Sequence, residues 1–306
     1  MSCGDAVRYV LRKAVLGKVP EIEITEENFL ALQGAREVLT NALAIEENYE
    51  ILICNYLELE KQILNDTANY MVRDHVEYSD VFDVRLALNV RLVNFLTSAR
   101  LYIDQLSRHV RGCLPELTDE IVKAGFSKEY DENPEYRFME ALRNHVQHRG
   151  LPIHWISHGA RWTEIGENGL LEYSMELSSQ RSFLEEDKKF NKTVLQELDD
   201  EIDLKMHARC YVESISNIHC ATREMIAAPV STARELLQDA HGKYEAIYNE
   251  SLVGLSMYTL SGERTIGSFP ILLDWDDIRI KLQKRNRKAI NLKKRYVTGK
   301  SKTYSK

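Results

Sequence analysis

The strongest catalytic potential in this chain lies in a short run of polar side chains. Arg143, Asn144 and His148 fall within one six-residue stretch. An arginine guanidinium can hold a phosphate through two parallel hydrogen bonds, and a histidine can accept or donate a proton near neutral pH. An asparagine amide can donate a hydrogen bond to phosphate or to a nearby histidine. Together these residue types fit the cleavage of a phosphodiester.

Local signals place this run at the end of a helix. Asn133 is a favoured N-cap and Pro134 a favoured first helical residue. Gly150 suits the left-handed residue that follows a helix, and Pro152 prevents its continuation. The helix is therefore predicted to start near Pro134 and to hold His148 in its last turn. The negative end of the helix dipole favours the protonated form of that histidine.

Helical spacing assigns these side chains to different faces. Asn144 and His148 share the polar face, whereas Arg143 lies on the flank, about 140° from His148. His145 borders the apolar face and is interpreted as a partly buried histidine with satisfied hydrogen bonds. The predicted buried stripe contains Phe138, Met139, Leu142 and Val146. Because Arg143 and His148 diverge, a second copy of the chain is expected to complete the site.

The spacing Arg143-Asn144-x3-His148 resembles the R-x(4–6)-H motif of the HEPN superfamily, in which a polar residue follows the arginine. The resemblance implies an all-α helical bundle, catalysis by Arg143 and His148 with Asn144 as helper, and a cleft shared by two protomers. Many members are metal-independent ribonucleases. The expected partners are RNA, a second copy of the chain, and an antitoxin or defence-system protein.

The expected function is that of a metal-independent endoribonuclease without a cofactor, acting as a toxin or phage-defence effector. Such an enzyme uses the substrate's own 2′-OH as nucleophile, so it needs a base, an acid and a cation for the developing charge. The alternative is a non-catalytic HEPN-like helical module that binds RNA or a protein partner through the same face. His148 discriminates between them, since a binding module can replace it freely.

Further basic residues are predicted to contact RNA. Close to the motif these are Arg149, His154, His158 and Arg161. Residues 279–306 contain twelve Lys or Arg and no Asp or Glu, in a chain of net charge −7. This tail could bind a polyanion, fold back onto an acidic body, or stay solvated. Its predicted RNA-binding residues are Lys284, Arg285, Arg287, Lys288, Lys293, Lys294 and Arg295.

The composition is that of an ordinary globular protein. The 306 residues, 44% hydrophobic and 28% charged, suffice for one large or two modest domains. No apolar run approaches the roughly 18 residues that span a bilayer, and the first residues do not resemble a signal peptide. Five cysteines without a C-x-x-C pair indicate reduced thiols. A cytoplasmic location without membrane contact is therefore expected.

The hydrophobic patterns predict a mainly α protein with two long antiparallel helices and a small β insertion. Residues 1–278 are assigned to one HEPN-like domain, and residues 279–306 to the basic tail. The predicted helices cover about 5–16, 26–72, 79–111, 134–149, 190–226 and 230–249, the fifth ending at Pro229. A β-hairpin is predicted near 152–178 and a further strand near 252–260.

Metal-ligand residue types also occur in the chain. They point in different directions along one predicted helix, so zinc is not expected: His207, Cys210, His219 and Cys220. The acidic run 197–203 is interpreted as a solvated helix face rather than a cation site.

Overall fold

The computed structural model describes residues 6–17, 19–73, 77–116, 119–165, 169–248 and 253–298. The protein is mainly helical, at 65% helix, and its strands form small antiparallel sheets. The helices are α1 (Glu26–Val72), α2 (Tyr78–Cys113), α3 (Asp119–Glu132), α4 (Pro134–His148), α5 (Arg181–Glu185), α6 (Lys192–Gln196), α7 (Leu204–Tyr248) and α8 (Asp274–Arg285). The strands are β1 (Val7–Lys13), β2 (Glu21–Ile24), β3 (Trp155–Trp162), β4 (Leu171–Gln180), β5 (Glu201–Asp203), β6 (Leu255–Ser261) and β7 (Arg264–Pro270).

The two long helices predicted from the heptad-like spacing are confirmed as α1 and α2. The ring of Tyr49 lies 5.8 Å from that of Tyr102, and the ring of Tyr56 lies 5.7 Å from that of Phe95. Later residues of α1 therefore meet earlier residues of α2, which makes the pair antiparallel. All four aromatic side chains are buried, so they stabilise the pairing through both area and ring contacts.

The described residues fall into two compact units. The first takes its residues from Met1–Glu50, Tyr102–Lys123 and Ala221–Arg287. Its antiparallel sheet has the strand order β2-β1-β6-β7. Within this unit Arg234 of α7 pairs with Asp276 and, at 2.7 Å, with Asp277 at the start of α8.

The second unit takes its residues from Ile51–Leu101, Ala124–Cys220 and Lys288–Lys306, and it contains α4. Its antiparallel sheet has the order β3-β4-β5. The last residue of β5, Asp203, also caps α7, because its Oδ1 accepts hydrogen bonds from the backbone N–H of Lys205 (2.9 Å) and of Met206 (3.0 Å).

The predicted β elements are confirmed in position. The hairpin near 152–178 is formed by β3 and β4, which pair in register from Trp155↔Ser178 to Trp162↔Leu171. Residues 166–168 of its predicted turn lie outside the described residues. The strand near 252–260 is β6, although residues 251–252 also lie outside them.

The helix predicted over residues 5–16 is wrong, because most of this segment is the strand β1. It pairs with β2 and, from Val7↔Ser261 to Lys13↔Leu255, with β6. The second pairing joins residues more than 240 positions apart, and local periodicity cannot reveal such a partner. The strand β7 and the helix α8 have no counterpart among the elements predicted from the sequence.

The predicted helix boundaries at 190 and at Pro229 are wrong as well. The cap at Asp203 starts α7 only at Leu204, after the short α6 and β5. At the other end α7 continues through Pro229 to Tyr248. Proline removes one helical hydrogen bond. Ile226 and Val230 on either side are buried, and this packing keeps the helix continuous.

The basic segment is folded over most of its length. Its predicted boundary at residue 279 falls inside α8, where Arg279 is buried and paired with Asp276. Farther along, Glu213 of α7 accepts hydrogen bonds from the backbone N–H of Asn291 (2.9 Å) and of Leu292 (3.3 Å). Lys300, Lys302 and Lys306 lie outside the described residues.

Candidate functional site

The helix α4 begins at the predicted Pro134 and ends at His148, one residue before the predicted end, and its end contacts differ from those predicted. Asn133 precedes it without a side-chain cap, and its amide donates to Glu129 instead (2.6 Å). Gly150 is not among the glycines with positive φ. A Cβ at Gly150 would lie 3.2 Å from Nε2 of His145. The glycine therefore lets the backbone approach this histidine closely, rather than providing a left-handed turn.

The chain that leaves α4 is fixed to α2 by one asparagine. Oδ1 of Asn89 accepts a hydrogen bond from the backbone N–H of Ile153 (3.0 Å), and its amide lies 3.4 Å from the carbonyl of Ile153. Both residues are buried, so these bonds satisfy backbone groups that water does not reach. The segment between α4 and β3 is thereby held in one position.

Arg143 is buried rather than exposed. Its guanidinium donates to Glu140 (3.2 Å) and to Gln147 (3.3 Å), while its Nε has no partner among the described residues. Glu140 also accepts a hydrogen bond from the hydroxyl of Tyr211 (2.5 Å). Burial, followed by the charge of Glu140, raises the pKa of Tyr211 well above its ordinary value. Helical spacing predicts a flank position for Arg143, and α7 supplies the tyrosine that donates to its partner Glu140.

Asn144 and His148, the other two residues of the motif, are exposed. The predicted buried stripe is confirmed at Phe138, Met139 and Leu142. The motif residues thus divide between the interior, which holds the arginine, and the surface, which holds the amide and the second histidine. Their catalytic role stays a prediction.

His145 is buried, as interpreted from the sequence, and it has a carboxylate partner. Its Nδ1 lies 3.0 Å from Oδ2 of Asp187, which precedes α6. A carboxylate only accepts, so Nδ1 carries the proton and Nε2 is left for other contacts. Arg149 reaches the second oxygen of Asp187 at 3.4 Å. No sequence signal points to Asp187, because it lies 42 positions from His145.

A cavity of about 450 Å³ opens beside this pair. Pockets of roughly 300–1,000 Å³ are the usual size for small ligands. The lining contains cations and ring systems next to the histidine, and its members are Arg85, His145, Arg149, Gly150, Leu151, Ile153, His154, Phe183, Glu186 and Asp187. The cavity therefore combines a histidine with a carboxylate partner, two arginines and an open aromatic ring.

The electrostatics of the cavity favour an ionised Asp187. Burial alone would raise the pKa of its carboxyl, but hydrogen bonds from His145 and from the backbone N–H of Lys189, with the charge of Arg149, bring the pKa below its ordinary value. His154 behaves differently. Burial lowers the pKa of its imidazole.

The neutral form of His154 is also fixed by its contacts. Its Nδ1 accepts a hydrogen bond from the backbone N–H of Gln180 (3.0 Å) and lies 3.3 Å from Oγ of Ser179. An accepting Nδ1 leaves the proton on Nε2. The ring lies 4.7 Å from that of Phe183. His154 is thus a neutral wall of the cavity, with one face against an aromatic ring.

The other RNA-contact residues predicted near the motif lie on β3. The ring of His158 stacks on Tyr70 of α1 at 4.3 Å. Nε of Arg161 lies 2.8 Å from Glu172 on β4, although the arginine side chain is 81% exposed. Neither residue lines the cavity beside His145. Two of the four RNA-contact residues predicted near the motif, Arg149 and His154, therefore line the same cavity.

The predicted RNA-contact residues of the C-terminal segment are exposed, but several have acidic neighbours. Arg285 lies 2.6 Å from Glu50 in the first unit, and Lys293 lies 4.0 Å from Glu135 in the second. The backbone carbonyl of Arg295 accepts a hydrogen bond from Arg209 (2.6 Å). The remaining exposed members are Lys284, Arg287, Lys288 and Lys294. These contacts match the arrangement in which the segment folds back onto acidic residues.

Comparison of the chain with protein-family models, with curated proteins and with solved structures found no significant match. In the described ranges, no group of three or more His, Cys, Asp or Glu residues could hold a metal ion. No helix in those ranges is long and apolar enough to cross a membrane.

Proposed function

We propose that the protein is a metal-independent endoribonuclease with a HEPN-like helical bundle, whose reaction centre lies at the C-terminal end of α4. The observation that carries this proposal is the pairing of His145 with Asp187 at a cavity that also contains Arg149 and Arg85. A carboxylate that fixes a histidine tautomer, next to arginines, supplies proton transfer and anion stabilisation in one place.

In this reaction the neutral Nε2 of His145 accepts the proton of the RNA 2′-OH. The 2′ oxygen then attacks the adjacent phosphorus, the bond from phosphorus to the 5′ oxygen breaks, and a second group protonates the departing oxygen. We assign the second role to His148, which neighbours His145 at i, i+3 spacing and is exposed. The products are a 2′,3′-cyclic phosphate and a 5′-hydroxyl.

The cations of the cavity are assigned to the phosphate. Arg149 is 47% exposed at its side chain, and its contact with Asp187 orients it towards His145. Arg85 approaches from α2. Guanidinium groups in fixed positions stabilise the extra negative charge of a phosphorane without reorganising during the reaction.

Within this proposal Arg143 is a positioning residue rather than a phosphate clamp. Its bonds with Glu140 and Gln147 tie the last turns of α4 together. A guanidinium already paired with a carboxylate and 8% exposed would have to leave both partners to reach RNA. Asn144, exposed one turn before His148, is assigned to hydrogen bonding with that histidine or with phosphate.

A second copy of the chain remains part of the proposal, because His148 and Asn144 face outward at the end of α4. An isologous contact around this helix end would place two copies of the site in one groove. We test the shared groove by mixing a His145→Ala protomer with a His148→Ala protomer. Regained cleavage in the mixed dimer supports it, whereas full activity of a strict monomer contradicts it.

The test of the activity is an RNA cleavage assay in the presence of a chelator. We expect cleavage of RNA but not DNA, and its loss in both His145→Ala and His148→Ala. His109→Gln in α2 is the matched control, since it alters a half-buried histidine that is bonded to Asn41 and does not line the cavity. Cleavage that requires an added divalent metal, or that persists in His145→Ala, contradicts the proposal.

The second candidate function is a non-catalytic module that binds RNA or a protein partner. The observation that favours it is the burial of Arg143, which leaves the motif without an exposed arginine at its first position. In that case RNA binding would persist with no cleavage at any pH. An antitoxin or defence-system protein would then be a partner of the exposed face of α4.

A further inference from the structure

Phe183 lies on the rim of the cavity beside His145, and more than half of its surface is exposed. Its ring already has one aromatic neighbour, His154, at 4.7 Å and an interplanar angle of 38°. An apolar ring of this size ordinarily loses free energy by facing water. Phe183 differs from most of the other exposed apolar side chains by its position on the rim of a cavity that also contains two arginines.

The surroundings of Phe183 match one nucleotide of a single strand. Arg149 and Arg85 supply positive charge for the phosphate, on a lining that also holds the carboxylates Glu186 and Asp187. The ring supplies a flat apolar surface for the base. Proteins that bind single-stranded nucleic acid combine these two elements, a cationic track and aromatic stacking platforms. Leu151, 51% exposed, adds apolar surface on the same rim.

We propose that Phe183 is the stacking platform for a nucleobase of single-stranded RNA, next to the scissile phosphate held by Arg149. This inference rests on the proposed function, and it adds the class of substrate: an unpaired strand rather than a duplex. In an A-form duplex the bases are stacked inside the helix, so they cannot reach the ring. A splayed base on Phe183 would also fix the register of the adjacent phosphate at His145.

The experiment measures binding without cleavage. The probe is a fluorescent decamer of adenosine with 2′-O-methyl groups throughout, which removes the nucleophile that the proposed reaction needs. Binding to the full chain is followed by anisotropy. We expect Phe183→Leu to raise Kd about 5-fold or more and Phe183→Trp to leave it within about 2-fold, because stacking needs a π face and not only apolar volume.

Two controls make the result specific. Trp162→Ala removes another exposed aromatic residue, on β3 and outside the cavity, and should leave Kd unchanged. A duplex of the same length should bind equally well to the wild type and to Phe183→Leu. Equal affinities of Phe183→Leu and wild type for the single strand overturn the inference, as does an equal loss in Trp162→Ala.

The outcome is independent of whether the protein cleaves RNA. If Phe183→Leu weakens binding of the methylated strand while unmodified RNA stays intact with the wild type, the stacking site stands and the ribonuclease proposal fails. If unmodified RNA is cleaved but the methylated strand binds both proteins alike, the ribonuclease proposal stands and the stacking site fails.

Discussion

Asp187 holds Nδ1 of His145 at 3.0 Å, joining the loop before α6 to the last turn of α4. The side chains are 6% and 7% exposed, so the pair is shielded from competing water. The geometry leaves Nε2 on the side of Gly150, where the backbone comes closest. The carboxylate therefore fixes one tautomer of the histidine and leaves Nε2 as the accepting nitrogen, which is the arrangement that general-base catalysis requires.

We expect Asp187→Asn to lower kcat for RNA cleavage by about 10²–10⁴-fold, the range of a lost general acid–base contribution. The amide can donate to Nδ1 and so favour the wrong tautomer of His145. The measurement is single-turnover cleavage at several pH values. Glu186→Gln, a charge loss on the same rim, is the control, and a variant Asp187→Asn that keeps full activity would rule out this role.

Gly150→Ala is expected to reduce cleavage without loss of stability. The new methyl group would meet Nε2 of His145 at 3.2 Å, so the ring would have to shift by a few tenths of an ångström from its position beside the cavity. At a glycine without positive φ, alanine usually stabilises a protein by about 0.4–1 kcal/mol through the unfolded chain. Thermal unfolding and activity are measured together. Gly34→Ala, where nothing lies within 4 Å, is the control. A parallel loss of both stability and activity in Gly150→Ala would contradict the prediction.

Arg143→Ala is expected to lower the free energy of unfolding by about 3 kcal/mol, because it leaves the largely buried Glu140 without its cation. This exceeds the change of under about 1 kcal/mol that an exposed position would give. The double variant Arg143→Met with Glu140→Gln removes both charges and should recover part of the loss. Urea unfolding measures the free energy of unfolding of each variant. An unchanged midpoint for Arg143→Ala would show that the pair of Arg143 and Glu140 contributes little to stability.

Stability is expected to fall as the pH drops below about 6.5. The pKa of His154 is lowered in the folded protein, so the unfolded chain binds the proton more readily. The contribution is complete above the unfolded pKa and is lost as the pH falls towards the lower folded pKa. His154→Gln should flatten the dependence of Tm on pH in this window, whereas the exposed His148→Gln should not. Identical slopes for His154→Gln and wild type would exclude His154 as the cause.

Removal of residues 299–306 and removal of residues 279–306 should have different effects. The longer deletion cuts away more than half of α8, including Arg279 with its buried pair to Asp276, and takes the carbonyl of Asn286 from Arg223, so it should lower the thermal stability of the first unit. The shorter one should leave the fold intact. If the last basic residues touch RNA, it also lowers the log–log salt slope of binding by about 0.7 for each phosphate that they neutralise. Equal thermal stability of the two truncations would show that these interactions contribute little to the stability of the fold.

The sequence predicts those features that local rules determine. Pro134 marks the start of α4, and the spacing of Tyr49, Tyr56 and their neighbours predicts the long α1. The missed features depend on partners far along the chain. The strand β1 pairs with the distant β6, and His145 bonds to Asp187 on another segment. A short stretch of sequence therefore cannot reveal either partner. Glu140, the partner of Arg143, likewise accepts a hydrogen bond from Tyr211 of α7, which no helical wheel of α4 contains.

The junction at Asp203 has a consequence for how the second unit opens. Its backbone is paired with Ser178 in the β4–β5 ladder, while its carboxylate caps α7. Strand edge and helix start therefore share one residue, and fraying of the three-residue β5 would also release the first turn of α7. In hydrogen exchange, the amides of Lys205 and Met206 should exchange together with those of the β4–β5 ladder, as a single cooperative opening rather than two separate ones.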